Sequence, residues 1–300
     1  MSPNPPRDTP EGLAYNALRN LARREGRNTD DLITLYALEG FLRRLSSSQM
    51  AGQFILKGGL LLAAFGARRV TRDIDLMGRG FANDEQSVLS RVVSIASTEA
   101  GDGLRFDVTT IRTSAIREDD LYGGVRVIVP ALLGRSRARL QLDVSFGDPI
   151  TPGPETIAYP TLIGDGGFPL LGYPIENVLA EKISTALERS SMNTRDRDYA
   201  DIWQLTGRHN LDGPSVRAAL ERTASHRGVT MKRLSDVILD LPDSRQTPYS
   251  VWRRKQGVAG NSYPQLFRDL IADVVTFADP LLVGEAGAVS WNALGRRWLP

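Results

Sequence analysis

Cysteine is absent from this 300-residue chain, and histidine occurs only as His209 and His226. The lack of cysteine excludes disulfide bonds, cysteine-based zinc sites and thiol nucleophiles, and it fits a reducing compartment. Two histidines leave little material for a histidine-based metal site or a Ser-His-Asp triad. The chain therefore cannot use a thiol in catalysis or metal binding, and only two side chains could supply an imidazole.

Long apolar runs are also lacking. None approaches the roughly 18 residues that a membrane-spanning helix needs. The N-terminal segment is polar and rich in proline, without the apolar region of a signal peptide. We therefore expect residues 1–10 to be a disordered lead-in to a cytoplasmic protein with no membrane contact. A monomer is the default expectation for the oligomeric state.

The composition is that of an ordinary globular protein, with 41% hydrophobic and 24% charged residues. A chain of this length can form two domains. The formal net charge is only +2, but arginines heavily outnumber lysines. Arginine suits planar phosphate contacts, which leaves nucleotide or RNA partners open; a GC-rich genome would give the same bias.

Hydrophobic periodicity predicts an order of helices, a mixed sheet with helices, and a helical region. Helices are expected at residues 10–26, from 29 onward, and at 60–66, 83–100, 175–190, 196–207, 214–225, 230–240 and 262–278. Strands are expected at 54–56, 72–76, 104–116, 125–133 and 137–146. The Gly- and Pro-rich stretch from Gly147 to Pro174 indicates a boundary near residue 165. The predicted fold class is α/β (α+β): a sheet domain over 1–165, and a mainly helical domain over 166–300 that completes a bilobed active-site cleft.

Two aspartates form the first candidate site. Asp73 and Asp75 are two residues apart on a predicted strand, so both side chains leave one face, about 7 Å apart. Such carboxylates repel unless a cation lies between them, and Mg²⁺ (or Mn²⁺) prefers oxygen ligands. Asp143 would join them if its strand neighbours theirs, which would give the ligand set for two-metal nucleotidyl transfer. The alternative is a solvated Asp-x-Asp, which is common.

A glycine turn and a basic segment precede these aspartates. Gly58-Gly59 follows a predicted strand and begins a helix, which would let backbone N–H groups approach a phosphate. Arg68, Arg69 and Arg72 could neutralise a triphosphate. An ordinary turn and a solvated basic loop are the alternatives.

Lys182 falls inside the apolar stripe of its predicted helix. An inward lysine costs free energy unless it is paired or reaches water along its stem. The functional alternative is a lysine that contacts the phosphates of a nucleotide. On the next helix, electrostatic capping could explain Asp196 and Asp198, whereas Asp201 is harder to explain that way.

Four sequence blocks resemble the AbiEii/AbiGii-type toxin nucleotidyltransferases of abortive-infection and toxin–antitoxin pairs, mycobacterial members included. They are Lys57–Gly59, Thr71–Leu76, Leu179–Ile183 and Arg197–Ile202. Their order matches the family, and they span about residues 54 to 205. Leu60 departs from the wider superfamily pattern, in which Gly-Ser precedes the paired aspartates.

The resemblance implies a nucleotidyltransferase-like fold and a Mg²⁺-dependent enzyme with an NTP as cosubstrate. It further implies transfer of NMP to the 3′ end of tRNA, which blocks translation, and a cognate antitoxin encoded nearby. The implied catalytic residues are Asp73, Asp75, Lys182 and Asp201, and the implied metal ligands are Asp73 and Asp75; Asp143 as a third ligand depends on the predicted strand adjacency and not on the resemblance. The implied nucleotide-binding residues are Lys57, Gly58, Gly59, Thr71, Arg72 and Asp198.

Other functions stay open at this point. The acceptor could be a protein or a small molecule instead of tRNA, or the chain could be a non-catalytic module that binds nucleotide or RNA. The segment Trp252–Lys255 combines an aromatic ring with basic residues and could hold RNA. A solvated basic turn with the tryptophan in the core is its alternative.

Overall fold

The computed structural model describes residues 8–118, 122–286 and 289–300. Most of the predicted disordered lead-in, residues 1–7, lies outside the described residues. The chain divides into two compact units. The first comprises Met1–Ala64, Arg68–Gly147 and Glu155–Gly172, and the second comprises Phe65–Ala67, Asp148–Pro154 and Tyr173–Pro300. Among the described residues, no helix has both the length and the apolar character needed to cross a bilayer.

The first unit begins with two capped helices. Helix α1 (Pro10–Glu25) starts where Thr9 Oγ1 accepts a hydrogen bond from Gly12 N at 3.2 Å, and it ends at Gly26. The cap, the first-turn proline and the terminal glycine are the signals that predicted this helix. The other α-helices described in this unit are α2 (Thr29–Ser47), α3 (Gly58–Leu61) and α4 (Glu85–Ala96).

An eight-stranded mixed sheet forms the centre of the first unit. Its strands are β1 (Phe54–Lys57), β2 (Asp73–Gly78), β3 (Leu104–Phe106), β4 (Arg112–Glu118), β5 (Tyr122–Leu133), β6 (Ser136–Phe146), β7 (Glu155–Pro160) and β8 (Gly167–Gly172). The order is β3-β5-β6-β2-β1-β8-β7, and β4 also pairs with β5. The pairs β2–β6 and β1–β8 are parallel and the others antiparallel, which confirms the predicted mixed sheet.

Two strand predictions need correction. The single strand expected over residues 104–116 is two strands, because a short 3₁₀ turn at Val108–Thr110 interrupts it. The Asp107 carboxylate accepts a hydrogen bond from Thr109 N at 3.2 Å and so favours that turn over an extended ladder. Strands β7 and β8 lie in the Gly- and Pro-rich stretch for which the sequence predicted no strand; β8 joins the sheet by pairing with β1, and β7 by pairing with β8.

Helices α2 and α4 cover one face of this sheet. The side chains on the covered face of β5 and β6 are buried, as their alternation predicted. An internal ion pair ties α2 to the segment before β3. Arg44 donates to both carboxylate oxygens of Asp102, at 2.8 and 2.9 Å, and also to the carbonyl oxygens of Gly40, Thr98 and Leu104. These five bonds satisfy a charged group that is 2% exposed.

The second unit is mainly helical. Its helices are α5 (Ile175–Arg189), α6 (Asp196–Thr206), α7 (Gly213–His226), α8 (Leu241–Ser244), α9 (Gln246–Lys255) and α10 (Phe267–Val283). The helix predicted over residues 230–240 is wrong, because this segment forms turns. Asp279 holds it instead, since its carboxylate accepts hydrogen bonds from Leu234 N at 2.7 Å and from the Ser235 hydroxyl at 2.6 Å.

A small antiparallel sheet, not predicted from the sequence, closes the second unit. It consists of β9 (Leu211–Asp212), β10 (Ser290–Asn292) and β11 (Arg297–Leu299), in the order β11-β10-β9. Trp291 and Trp298 from this sheet pack against Phe277 of α10, with ring centroids 4.9 and 5.3 Å away. The indole of Trp291 donates to the carbonyl of Thr206 at 2.7 Å, so the sheet is fixed to the helices by a buried hydrogen bond as well as by packing.

Candidate functional site

Strand β2 presents its two aspartates on one side and its apolar residues on the other. Ile74 and Leu76 are buried, at 0% and 1% exposure, whereas Asp73 and Asp75 are half-buried. The Thr71 hydroxyl donates to Asp73 Oδ1 at 2.7 Å and fixes that carboxylate. The period of two along the strand therefore places both carboxylates on one face, as predicted.

The glycine turn lies directly against the second aspartate. Gly58 has a φ of +68°, and a Cβ built on it would fall 1.9 Å from Asp75 Oδ2. No residue other than glycine can hold this backbone while the carboxylate stays in place. Lys57, one residue earlier, is the antiparallel partner of Asp75 in the β1–β2 ladder. The turn and the aspartate therefore form one local structure.

The next glycine accommodates two buried polar residues. A Cβ on Gly59 would lie 3.0 Å from Thr71 Oγ1 and 3.1 Å from a guanidinium nitrogen of Arg69. Thr71 and Arg69 are 5% and 6% exposed. Six of the residues predicted from the sequence thus lie together in the first unit. We call them the carboxylate site: Lys57, Gly58, Gly59, Thr71, Asp73 and Asp75.

Asp143 lies beside this site, on the neighbouring strand. Strand β6 pairs with β2 in parallel, and Asp143 is directly opposite Asp75, so the expected strand adjacency is confirmed. Both oxygens of Asp143 accept hydrogen bonds from Arg126, each at 2.8 Å, and Gln141 donates to one of them at 3.1 Å. Both oxygens of this carboxylate are thus already hydrogen-bonded to one arginine side chain.

The donors of the carboxylate site suit a divalent cation that arrives with a nucleotide. Within residues 8–118, 122–286 and 289–300, no group of three or more His, Cys, Asp or Glu side chains is placed to hold a metal ion. Mg²⁺ at phosphate-transfer sites needs only one or two protein carboxylates, because substrate phosphates and water complete its coordination. Asp73 and Asp75 fit that pattern, and Asp143 as a further ligand stays a prediction.

The three arginines before β2 are placed differently from one another. Arg68 pairs with the buried Glu39 at 3.4 Å and lies over the Tyr159 ring, at 5.5 Å from its centroid. Arg72 pairs with Asp31 at 3.1 Å, and 79% of its side chain is exposed. Of the three, Arg69 is the one that adjoins the carboxylate site, through its contact with Gly59.

In the second unit, Lys182 joins Asp198 and Asp201 in one buried cluster. Lys182 Nζ lies 2.9 Å from Asp198 Oδ1 and 2.7 Å from Asp201 Oδ2. The three residues are 8%, 8% and 2% exposed. Pairing, and not exposure of the ammonium to water, therefore compensates the burial of this lysine. The sequence analysis singled out a lysine in the apolar stripe of α5 and two aspartates three residues apart on α6, but it did not predict their contact.

Asp196 and Asp198 lie in the first turn of α6, where acidic residues suit the helix N-terminus electrostatically, and Asp196 has a further partner. Its carboxylate forms a two-bond ion pair with Arg245, at 2.8 and 2.9 Å. Hydrogen bonding to this carboxylate, with Arg245 as the donor, raises the pKa of the Arg245 guanidinium above its usual value. Asp196 therefore ties the start of α6 to the segment before α9.

The tryptophan of the basic segment on α9 packs within its own unit. Trp252 stacks on Tyr249 with an angle of 25° between the rings, and it meets Tyr263 edge-on at 5.0 Å. Arg254 and Lys255 are exposed. The segment is therefore helical and not a turn, its tryptophan is half-buried against two tyrosines, and Arg254 and Lys255 are solvated.

Comparison with known proteins identifies relatives of the chain. A family model described as "Nucleotidyl transferase AbiEii toxin, Type IV TA system" matches residues 40–291. No curated protein matches the sequence. Two solved structures share the fold. The first is JHP933 from Helicobacter pylori, with a TM-score of 0.50 and 16% identity; the match covers 86% of this chain and 94% of that chain. The second is a candidate nucleotidyltransferase from H. pylori, with a TM-score of 0.50 and 16% identity; the match covers 84% of this chain and 95% of that chain.

Proposed function

Because the chain belongs to the AbiEii family of nucleotidyl transferase toxins, we propose that it transfers a nucleoside monophosphate from an NTP to the 3′ end of tRNA and thereby blocks translation. The observation that carries this proposal is the carboxylate site. Asp73 and Asp75 leave one face of β2, and the Asp75 carboxylate lies against a glycine turn that admits no side chain. Paired carboxylates beside such a turn suit phosphate chemistry.

The proposed reaction is an in-line displacement at the α-phosphorus. The 3′-hydroxyl oxygen of the acceptor forms a bond to that phosphorus, the bond to the bridging α–β oxygen breaks, and pyrophosphate leaves. The hydroxyl proton is released to water. Thr71 keeps the Asp73 carboxylate in one orientation through its 2.7 Å hydrogen bond, so the site is held ready before substrate arrives.

Asp73 and Asp75 would hold the divalent cation, Mg²⁺ or Mn²⁺, which when bound neutralises phosphate charge and orients the reacting oxygens. Lys57 and Arg69 bring positive charge to the same site, the first from the strand position opposite Asp75 and the second beside Gly59. Positive groups fixed at these positions stabilise an anionic substrate without reorganisation during the reaction.

Lys182 is proposed to contact the triphosphate, and Asp198 and Asp201 are proposed to hold it in place. This role is supported by the match of their blocks to the family and by the two short ion pairs that fix the ammonium. A buried lysine fixed in this way would lose little side-chain freedom on meeting an anion.

The family description also supports a partner. A type IV toxin–antitoxin system implies an antitoxin that opposes the toxin, and we propose that it is encoded nearby. A cytoplasmic, monomeric enzyme is the simplest form in which such a toxin would meet tRNA and NTP.

The test is to incubate the purified protein with each α-³²P-labelled NTP, Mg²⁺ and total tRNA, beside Asp75→Asn and a matched Asp165→Asn control. Asp165 is an exposed residue in the turn between β7 and β8. We expect label on tRNA with wild type and Asp165→Asn but not with Asp75→Asn. Label on protein, or no label with any NTP, would contradict the tRNA acceptor.

A further inference from the structure

Strands β5 and β6 of the central sheet have one closed face and one open face. The closed face carries Val127, Val129, Leu140 and Leu142, each at 0% exposure, under helices α2 and α4. On the open face Gly124 is buried, and the other side chains described there are half-buried or exposed. The open face combines polar and charged residues with Ile128, Pro130 and Leu132, and strand pairing places it on the side that bears Asp73 and Asp75.

Strand register makes this open face continuous with the carboxylate site. In one row, Asp75 is opposite Asp143, which is opposite Arg126. In the adjacent row, Asp73 is opposite Gln141, and the row ends at Arg112 on β4. Directly paired residues point to the same face, so the surface runs from the two aspartates across β6 and β5 to β4.

Arginine dominates the charge of this surface away from the aspartates. Its arginines are Arg105, Arg112, Arg126, Arg137 and Arg139. We call them, with their strands, the arginine face. Arg126 is committed to Asp143. The other four are exposed, and in the part of the chain that the structure describes none of them forms an ion pair.

The dimensions of the arginine face suit an extended polyanion. Neighbouring strands lie about 4.8 Å apart, so Arg112, three strands from Asp73, is about 14 Å from it, while Arg139 is roughly 8 Å away. An NTP at the aspartates is too small to occupy all of these positions. Guanidinium groups bind phosphate oxygens through paired N–H donors, and a chain of phosphates would meet several of them in succession.

We infer that the arginine face binds the sugar–phosphate backbone of a nucleic-acid acceptor whose reactive end lies over Asp73 and Asp75. This inference rests on the proposed nucleotidyl transfer, to which it adds the surface that holds the acceptor. It places the acceptor on the first unit, and not on the basic residues of α9 in the second.

The binding test uses labelled total tRNA without NTP, with fluorescence anisotropy measured at several KCl concentrations. Arg137→Gln/Arg139→Gln is the test variant, because both side chains are exposed and neither forms an ion pair with an acid among the described residues. Arg23→Gln/Arg24→Gln on α1 is the matched control, since it removes the same charge from exposed positions. Arg254→Gln/Lys255→Gln tests the rival surface.

We expect the test variant to raise the Kd about tenfold near 0.1 M salt. Its slope of log K against log salt should fall by about 1.4 to 1.8 in magnitude, since each phosphate contact contributes about 0.7 to 0.9. The control on α1 should match wild type. NTP binding and the circular dichroism spectrum should be unchanged in all variants. Equal affinity in the test variant and the α1 control, loss confined to the α9 variant, or no tRNA binding by wild type would each overturn the inference.

Transfer activity separates this inference from the function on which it rests. If wild type labels tRNA and Arg137→Gln/Arg139→Gln labels it equally well at low tRNA concentration, the surface is wrong and the function stands. If wild type binds tRNA through these arginines but transfers no label to it, the tRNA-directed function is wrong and the surface stands.

Discussion

The two units hold their aspartates in opposite ways. In the first unit, Asp73 and Asp75 lie half-buried on an open sheet face, next to a turn without side chains. In the second, Asp198 and Asp201 are buried and closed around one ammonium. The half-buried aspartates keep part of their surface accessible to a substrate, whereas the buried aspartates are closed around the Lys182 ammonium. Removal of a charge should therefore cost activity in the first unit and stability as well in the second.

The largest effect is expected from Lys182→Met. This change leaves two carboxylates buried without their cation, so we expect a loss of about 3–5 kcal/mol in unfolding free energy together with loss of transfer. Urea denaturation followed by circular dichroism measures it. Adding Asp198→Asn and Asp201→Asn should restore much of the stability but not the activity. An unchanged denaturation midpoint for Lys182→Met alone would refute the description of a closed cluster.

Asp75→Asn should break the open site without breaking the fold. We expect transfer to fall about 100- to 1,000-fold, because a fixed charge at the reacting phosphate is lost, while the melting temperature stays within about 2 °C of wild type. Initial rates and thermal melts are the measurements. A fall in melting temperature as large as that of Lys182→Met would contradict the proposal that charge removal destabilises the second unit more than the first.

Gly58→Ala tests the turn against Asp75. The added methyl group cannot share the position of Asp75 Oδ2, 1.9 Å away, and the φ of +68° disfavours alanine. We expect about 1–2 kcal/mol of destabilisation and a loss of transfer of about tenfold or more. Gly52→Ala, where a Cβ meets no atom within 4 Å, is the matched control. Transfer equal to that of Gly52→Ala would mean that the Asp75 carboxylate has no fixed position to lose.

The Asp143→Asn variant tests whether Asp143 is a metal ligand or only lies beside the carboxylate site. Asp143 pairs with Arg126, whose side chain is 41% exposed, so solvent screens the pair and its loss should cost less than about 1 kcal/mol. We expect transfer to fall less than about tenfold, by kinetics at saturating Mg²⁺. A loss as large as that of Asp75→Asn, with a raised Mg²⁺ requirement, would make Asp143 a third ligand.

The smallest effect is expected at Glu39, a buried glutamate on α2 in the first unit. Burial raises its pKa above 4.5, although Arg68, the backbone N–H of Leu162 and Arg43 oppose this shift. Since the folded pKa is the higher one, stability is lost as pH rises from about 4.5 through the folded pKa. The stability of Glu39→Gln relative to wild type should therefore increase over that interval, as measured by chemical denaturation at each pH. A relative stability that falls with pH would show that the ion pairs outweigh the burial of the carboxylate.

The sequence was most informative where local chemistry decides the structure. Thr9, Pro10 and Gly26 predicted α1, and the spacing of Asp73 and Asp75 predicted their common face; both depend only on neighbours along the chain. The pairing of Lys182 with Asp198 and Asp201, 16 and 19 residues away, depends on how two helices meet.

Predictions failed where distant contacts override local preference. Residues 230–240 have a helical pattern, yet a carboxylate from α10 takes up their backbone donors. Strands β7 and β8 lie in a Gly- and Pro-rich stretch that is typical of a domain boundary, yet they pair with each other and β8 pairs with β1. The helical pattern likewise gave no warning of the small sheet formed by β9, β10 and β11.

The positions of the tryptophans, two of which lie in that small sheet, determine what fluorescence measures. The chain has four tryptophans, at positions 203, 252, 291 and 298, and all lie in the second unit. Intrinsic tryptophan fluorescence therefore reports on the second unit alone, whereas circular dichroism reports on both units. Coincident transitions by the two probes would show that the units unfold together, and separate transitions would give the stability of each unit without a label.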